Sequence, residues 1–218
     1  MRDNTTTTAD TVLICIDVQR DFVPAAGGNE SPEVSTIRSL VHTARVGGIP
    51  VVFIREVHHP TLVDLGREVD GAEGLHCIDG TPGAEFIDQF GPLASEYEVR
   101  KRRYSAFFNT DLDTILRGYK ATTVVLVGGL TDVCVHYTAV DAHQLDYHFR
   151  VVNDAVYGSS LAAHTAALNA MAYLQTNSVI DARQAAELFS PAGSRASADC
   201  GRMESRYGCH GPAVESPH

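Results

Sequence analysis

The segment "TTVVLVGGLTDVCVHYTAVDA", residues 122–142, runs from an apolar stretch through two glycines to a cysteine. Unbroken Val and Leu from Val124 to Val127 suit a strand covered on both faces, as in a parallel sheet. Beyond Leu130, "DVCVHYTAVDAH" reads as a helix. The thiol of Cys134 therefore falls just past the carboxyl end of a strand and near a helix N-terminus. Unpaired N–H groups and the helix dipole at that place lower a thiol pKa and can hold a developing oxyanion. Gly128 and Gly129 allow close backbone approach to a ligand. The alternative use of an isolated cysteine is as a small buried hydrophobe.

Working outward, "TVLICIDV" (11–18), "IPVVFIR" (49–55) and "HFRVVND" (148–154) are similar buried strands, and "SVID" (178–181) is a weaker one. Helical patterns lie between them. "PEVSTIRSLVHTARVGG" (32–48) has Ser31 and Pro32 before it and two glycines at its end, the usual asymmetry of helix termini. "TDLDTILRG" (110–118) and "SSLAAHTAALNAMAYLQ" (159–175) follow. The alternation predicts a three-layer α/β/α, Rossmann-like domain with a central, mostly parallel sheet. Residues 56–95, rich in Gly and Asp, are expected to form a long loop or active-site cap. The folded domain is assigned to residues 1–190. Residues 191–218 have the composition of a polar, flexible tail that adds nothing to the core. Its Cys200 and Cys209 suit free thiols better than a disulfide.

The bulk composition narrows the partners. The chain has 218 residues, a net charge of −10 and a pI near 5.4, which disfavours nucleic acid. No segment reaches the roughly 20 apolar residues of a membrane helix. The opening "MRDNTTTTAD" has no apolar stretch, and the five cysteines form no CxxC pair. A reducing cytoplasm is the expected setting. The basic run "VRKRRYS" needs a local explanation.

In open parallel α/β sheets ligands collect beyond the carboxyl ends of strands. Asp17, Glu56, His58, Cys134 and Asp154 are expected there. A cysteine nucleophile needs a base. His136 is nearest, but two positions along a helix it faces another side, and no other histidine stands out. Asp17 is the better candidate, provided a cation accompanies it into the core. Lys101 or Arg103 of "VRKRRYSAFFNTDLD" would supply that cation. Cys15, inside a strand, and Cys77, in an irregular stretch, read as ordinary buried thiols.

Three segments carry a family resemblance: "LICIDVQRDFVPAAGG", "VRKRRYSAFFNTDLD" and "VVLVGGLTDVCVHYTAVDA". In order and spacing they resemble the isochorismatase-like cysteine hydrolases, over about residues 11–182. The motifs are D-x-Q-x-D-F, K-x-R-Y-x-(A/S)-F and G-x-x-T-(D/N)-x-C-(V/I)-x-x-T. The resemblance implies Cys134 as nucleophile, Asp17 as general base and Lys101 as their cationic partner. It also implies a cis peptide at Gly129–Leu130, an oxyanion hole from the Leu130 and Cys134 amides, and a substrate pocket lined by Phe22 and Tyr104.

The implied activity is hydrolysis of a C–N bond in a small amide, carbamoyl compound or lactam, without cofactor, by a homo-oligomer (dimer or tetramer). Streptothricin-type lactams, ureido compounds and nicotinamide are all open as substrates. Vinyl-ether hydrolysis of the isochorismatase type is the rival activity, but members with that chemistry lack the cysteine. A non-catalytic binding module is the third reading. Nicotinamidases of this family carry a metal, and Glu56, His58, Asp64 and His76 lie where its ligands would be. With two of the four ligand types changed, metal-free hydrolysis is the expectation.

Overall fold

The computed structural model describes residues 10–71 and 73–190. The tail, with Cys200 and Cys209, lies outside the described residues. Six strands form one sheet: β1 (Thr11–Ile16), β2 (Val51–Glu56), β3 (Tyr97–Lys101), β4 (Thr123–Gly129), β5 (His148–Tyr157) and β6 (Val179–Ile180). Their order is β3-β2-β1-β4-β5-β6, and every neighbouring pair is parallel. Five helices cover it: α1 (Pro32–Val46), α2 (Leu112–Tyr119), α3 (His136–Gln144), α4 (Leu161–Leu174) and α5 (Ala182–Leu188).

Period-two alternation divides the core into two layers. Val12, Ile14 and Ile16 of β1 join Leu112 and Leu116 of α2, Ala139 of α3 and Met171 of α4 in one apolar cluster. Leu13 and Cys15 point the other way and pack with Val34, Ile37 and Val41 of α1 and Ala185 of α5. Each fully buried Ile, Leu or Val contributes about 1.5–3 kcal/mol, which is why both faces of the central strands are apolar. The helix starts are specified locally. Ser31 and Ser160 accept from the amides of Val34 and Ala163 at 3.2 Å each, and Asp181 and Gln184 form a reciprocal capping box.

Three differences from the sequence reading have physical causes. β3 is an edge strand with only Val99 and Lys101 buried, so it lacks the continuous apolar run of the inner strands. β5 continues to Tyr157, which leaves Asp154 mid-strand. There its Oδ1 accepts from the Ala182 amide at 2.9 Å and takes no part at the carboxyl edge. The helix α5 is a single short unit made definite by its capping box. The expected cap is present as residues 57–96, whose described part holds only two 3₁₀ turns, Glu68–Asp70 and Pro82–Ala84. Among the described residues no helix is long and apolar enough to cross a membrane.

The strand order reverses at β1, which has β2 on one side and β4 on the other. Beyond the carboxyl ends of β1 and β4 lies the switch point where such sheets bind ligands. Gly128 allows the two strands to meet there. Its φ is +111°, and a Cβ on it would stand 2.0 Å from the Ile16 carbonyl oxygen. No side chain fits that position.

Candidate active site

Asp17 follows β1 in a left-handed conformation, φ 49°, and its side chain is fully buried. Register places the next groups: β2 and β3 pair Glu56 with Lys101, so both side chains leave the same edge of the sheet. After β4 the Gly129–Leu130 peptide is cis. A single π turn, Thr131–Val135, follows, in which the Val133 and Val135 amides both donate to the Leu130 carbonyl at 3.1 Å. Such turns are frequent at functional sites. Asp132 anchors this one, accepting from the Ser159 amide at 2.8 Å. Cys134 thus lies in a π turn just before α3 rather than in the first turn of an α-helix.

These elements converge on the Lys101 ammonium. Its Nζ is 2.9 Å from Asp17 Oδ2 and 3.4 Å from Cys134 Sγ, and it donates to Glu56 Oε2. Arg103, the other candidate cation, is elsewhere, donating to the Asp64 carbonyl at 2.8 Å. The rest of the basic run is spent on the cap and the sheet edge. Arg102 pairs with Asp64 at 2.6 Å, and Arg100 pairs with Glu98 at 3.1 Å.

Burial and charge set the protonation states. Burial lowers Lys101, but Asp17, Cys134 and Glu56 outweigh it and hold the ammonium charged. Burial raises Asp17, Lys101 opposes and Glu56 adds, leaving it at about 6. Glu56 is also raised by burial, yet Lys101 and the imidazoles of His58 and His76 hold it well below the usual carboxylate range. The thiol differs from the sequence reading. Burial, with Asp17 and Glu56, raises Cys134 well above its ordinary value despite Lys101. Two carboxylates share one ammonium in a fully buried site, so the resting sulfur keeps its proton.

A second cluster adjoins the first through Glu56. His76 Nε2 is 2.7 Å from Glu56 Oε1, and His58 Nε2 is 3.3 Å from both Glu56 Oε1 and Glu68 Oε2. The Nδ1 of His76 donates to the Gly74 carbonyl at 2.7 Å. Its Nε2 therefore faces a carboxylate with either a proton or a cation between them. Burial lowers His76, but Glu56, Glu68 and the Gly74 carbonyl raise it to about 11. Ligand atoms of Glu56, His58, Glu68 and His76 all lie within 4.8 Å of one another. Among the described residues neither buried oxygen of Glu68 accepts a well-aligned hydrogen bond, although Oε2 stands 3.3 Å from His58 Nε2. Two imidazoles and two carboxylates suit zinc, iron or manganese, so these residues fit a divalent cation. Asp64, expected in this set, is turned to Arg102 and to the His59 amide at 2.8 Å. Glu68 takes its place, and no spacing in the aperiodic cap announced it.

The "DVQRDF" motif also docks the cap. Gln19 clamps the Glu56 peptide at both ends, donating to its carbonyl and accepting from its amide at 2.8 Å each. Asp21 accepts from the Cys77 amide at 2.8 Å. Phe22, with its ring centroid 5.5 Å from that of His76, borders a cavity of about 230 Å³ together with Leu130 and Glu73. Tyr104 borders a separate hollow of about 270 Å³ with Phe108 and Tyr137, and it stacks on Tyr137.

The chain is similar to known proteins in sequence and in fold. Ureidoacrylate amidohydrolase RutB of Pseudomonas syringae pv. syringae is 27% identical over 211 residues, covering 84% of this chain and 85% of that protein. The N-carbamoylsarcosine amidase structure from Thermoplasma acidophilum is 30% identical with a TM-score of 0.68, covering 80% of this chain and 97% of that one. Pyrazinamidase of Pyrococcus horikoshii, solved in complex with zinc, is 29% identical with a TM-score of 0.69, covering 79% and 99%. Residues 11–184 match the isochorismatase domain, and with most of its length inside that match the chain belongs to the isochorismatase family.

Proposed function

We propose that the protein is a cysteine amidohydrolase that cleaves a non-peptide C–N bond of a small molecule. The observation that carries this reading is one buried ammonium, Lys101, within 2.9 Å of Asp17 and 3.4 Å of Cys134. Such a placement suits proton transfer between thiol and carboxylate and has no evident use in a binding module. Cys134 would be wasted in vinyl-ether hydrolysis, which needs no sulfur nucleophile.

In the proposed reaction Asp17 accepts the thiol proton as Sγ attacks the carbonyl carbon. Because the thiol rests protonated, proton transfer and attack are coupled. The Leu130 and Cys134 amides are assigned to the developing oxyanion. Asp17 passes its proton to the leaving nitrogen, the C–N bond breaks, and the amine departs. Water then attacks the thioester, giving its proton through Asp17 back to the sulfur and releasing the acid. Ureido compounds and lactams are the substrates favoured, with Phe22 at the pocket wall. Screening such amides for ammonia or amine release tests the reading, and failure of every C–N substrate would contradict it.

Asp17 must be ionised to accept the proton, and its pKa is raised to about 6. kcat/KM is therefore expected to fall about tenfold per pH unit below pH 6 and to level off above it. A profile that stays flat down to pH 4.5 would remove Asp17 as base.

A second reading, a metal-supported nicotinamidase, is favoured by the Glu56, His58, Glu68 and His76 cluster. Those residues would hold a divalent cation, which when bound supplies positive charge beside the pocket for a nitrogen or oxygen of the substrate. Amide attack by a thiol with two backbone donors needs no such charge. Protein stripped by a strong chelator is expected to retain turnover of its best amide substrate. Activity that collapses and returns with zinc, iron or manganese would favour the nicotinamidase reading.

Assembly with further copies is supported by the outward Leu161 and Tyr173 of α4, 82% and 91% exposed. The free buried thiols of Cys15, Cys77 and Cys134 favour a reducing, cytoplasmic setting.

A further inference from the structure

The proposed reaction uses Asp17, Lys101 and Cys134 and leaves Glu56 without a part. Yet Glu56 closes β2 directly beside Lys101 in the β2–β3 register. Its Oε2 accepts from Lys101 Nζ and stands 3.9 Å from Cys134 Sγ. An ammonium has three donors. Here three groups surround it: Glu56 and, at 3.4 Å, Cys134 accept hydrogen bonds, and Asp17 is an ion-pair partner at 2.9 Å.

The carboxylate that does this is itself held rigidly. Gln19 fixes both ends of its peptide at 2.8 Å, and His76 Nε2 holds Oε1 at 2.7 Å. A lysine stem is long and flexible. With Asp17 as its only anionic anchor, the ammonium would be free to move off the sulfur.

We propose that Glu56 is the positioning residue that holds Lys101 Nζ against Cys134 Sγ. Its length, one methylene beyond aspartate, lets a single carboxylate reach Lys101 with one oxygen while the other stays on His76. The proposal rests on the cysteine-hydrolase reading above, and it assigns Glu56 a task that an aspartate at the end of β2 is too short to perform.

The test compares kcat, KM and melting temperature for the wild type, Glu56→Gln, Glu56→Asp and His76→Gln on the best amide substrate. Both Glu56 variants are expected to lose about 10- to 100-fold in kcat, the cost of a misplacement near 1 Å, with KM within about twofold. The melting temperature should change little in Glu56→Asp, which keeps the charge, and should fall in Glu56→Gln, which takes one carboxylate out of the buried ionic group. His76→Gln, which removes one of the two holds on Glu56 but leaves Glu56 itself in place, is expected to lose less in kcat than either Glu56 variant. Wild-type kcat in Glu56→Asp would overturn the proposal, and so would a kcat loss in His76→Gln larger than in either Glu56 variant. Should Glu56→Gln fold poorly, Glu56→Asp still decides the matter. Cys134→Ala is run alongside. If it turns over substrate, the hydrolase reading itself fails. If it is inactive while both Glu56 variants match the wild type, only the role of Glu56 is lost.

Discussion

Replacing Cys134 by alanine is expected to lower kcat by on the order of 10⁴-fold or more, the scale seen when a nucleophile is removed from a catalytic unit. Fold and stability should be little changed. Cys134 packs in the apolar cluster beside Val135 and Ala139, and losing one sulfur costs about 1 kcal/mol or somewhat more. Serine at the same place should be nearly as inactive. Asp17, with a pKa of about 6, is too weak a base to ionise an alcohol as readily as a thiol. Substantial turnover by either variant, measured with native-like melting, would remove the covalent route.

Lys101→Met should have the second large effect, and on stability as well as activity. Lys101, Asp17 and Glu56 are all essentially inaccessible to water, with side-chain exposures of 0%, 0% and 1%. Removing the cation leaves the buried Asp17 without its cation and Glu56 with only its imidazole partners. Breaking a buried ionic group in this way costs about 3–5 kcal/mol. For a chain of this size that lowers the melting temperature by about 10 °C. The sign of the pH dependence follows from the charge. In the variant Asp17, already raised by burial and now without Lys101 to oppose it, binds its proton more tightly in the folded state than in the unfolded chain, so stability should fall as pH rises from about 4. Calorimetry across that range checks it. A melting temperature equal to wild type at pH 7 would mean that the three groups are not ionised as described.

The sequence was most legible where burial is two-sided. β1, β2 and β4 carry unbroken apolar runs, Val12–Ile16, Val51–Ile54 and Val124–Val127, because helices cover both faces, and that pattern placed Asp17, Glu56 and Cys134 at one edge of the sheet. The edge strand β3 was not legible as a strand, since only Val99 and Lys101 turn inward and its charges look like a solvated run. The residues alone left Lys101 and Arg103 open; the family resemblance named Lys101, and the β2–β3 register gives the physical reason. Glu68 was hidden for a different reason. It lies in a cap without periodicity, and the backbone path rather than any spacing carries it to His58 and His76. The ionisation of Cys134 was misread because a nearby lysine is visible in the sequence, whereas its division between two buried carboxylates is not.

The measurement that bears most directly on the covalent role of Cys134 is rapid acid quenching during turnover of the best amide substrate, followed by peptide mapping by mass spectrometry. An acyl adduct is expected on the peptide carrying Cys134, none on those carrying Cys15 or Cys77, and none in Cys134→Ala. Steady turnover with no adduct on Cys134, together with activity in Cys134→Ala, would contradict it.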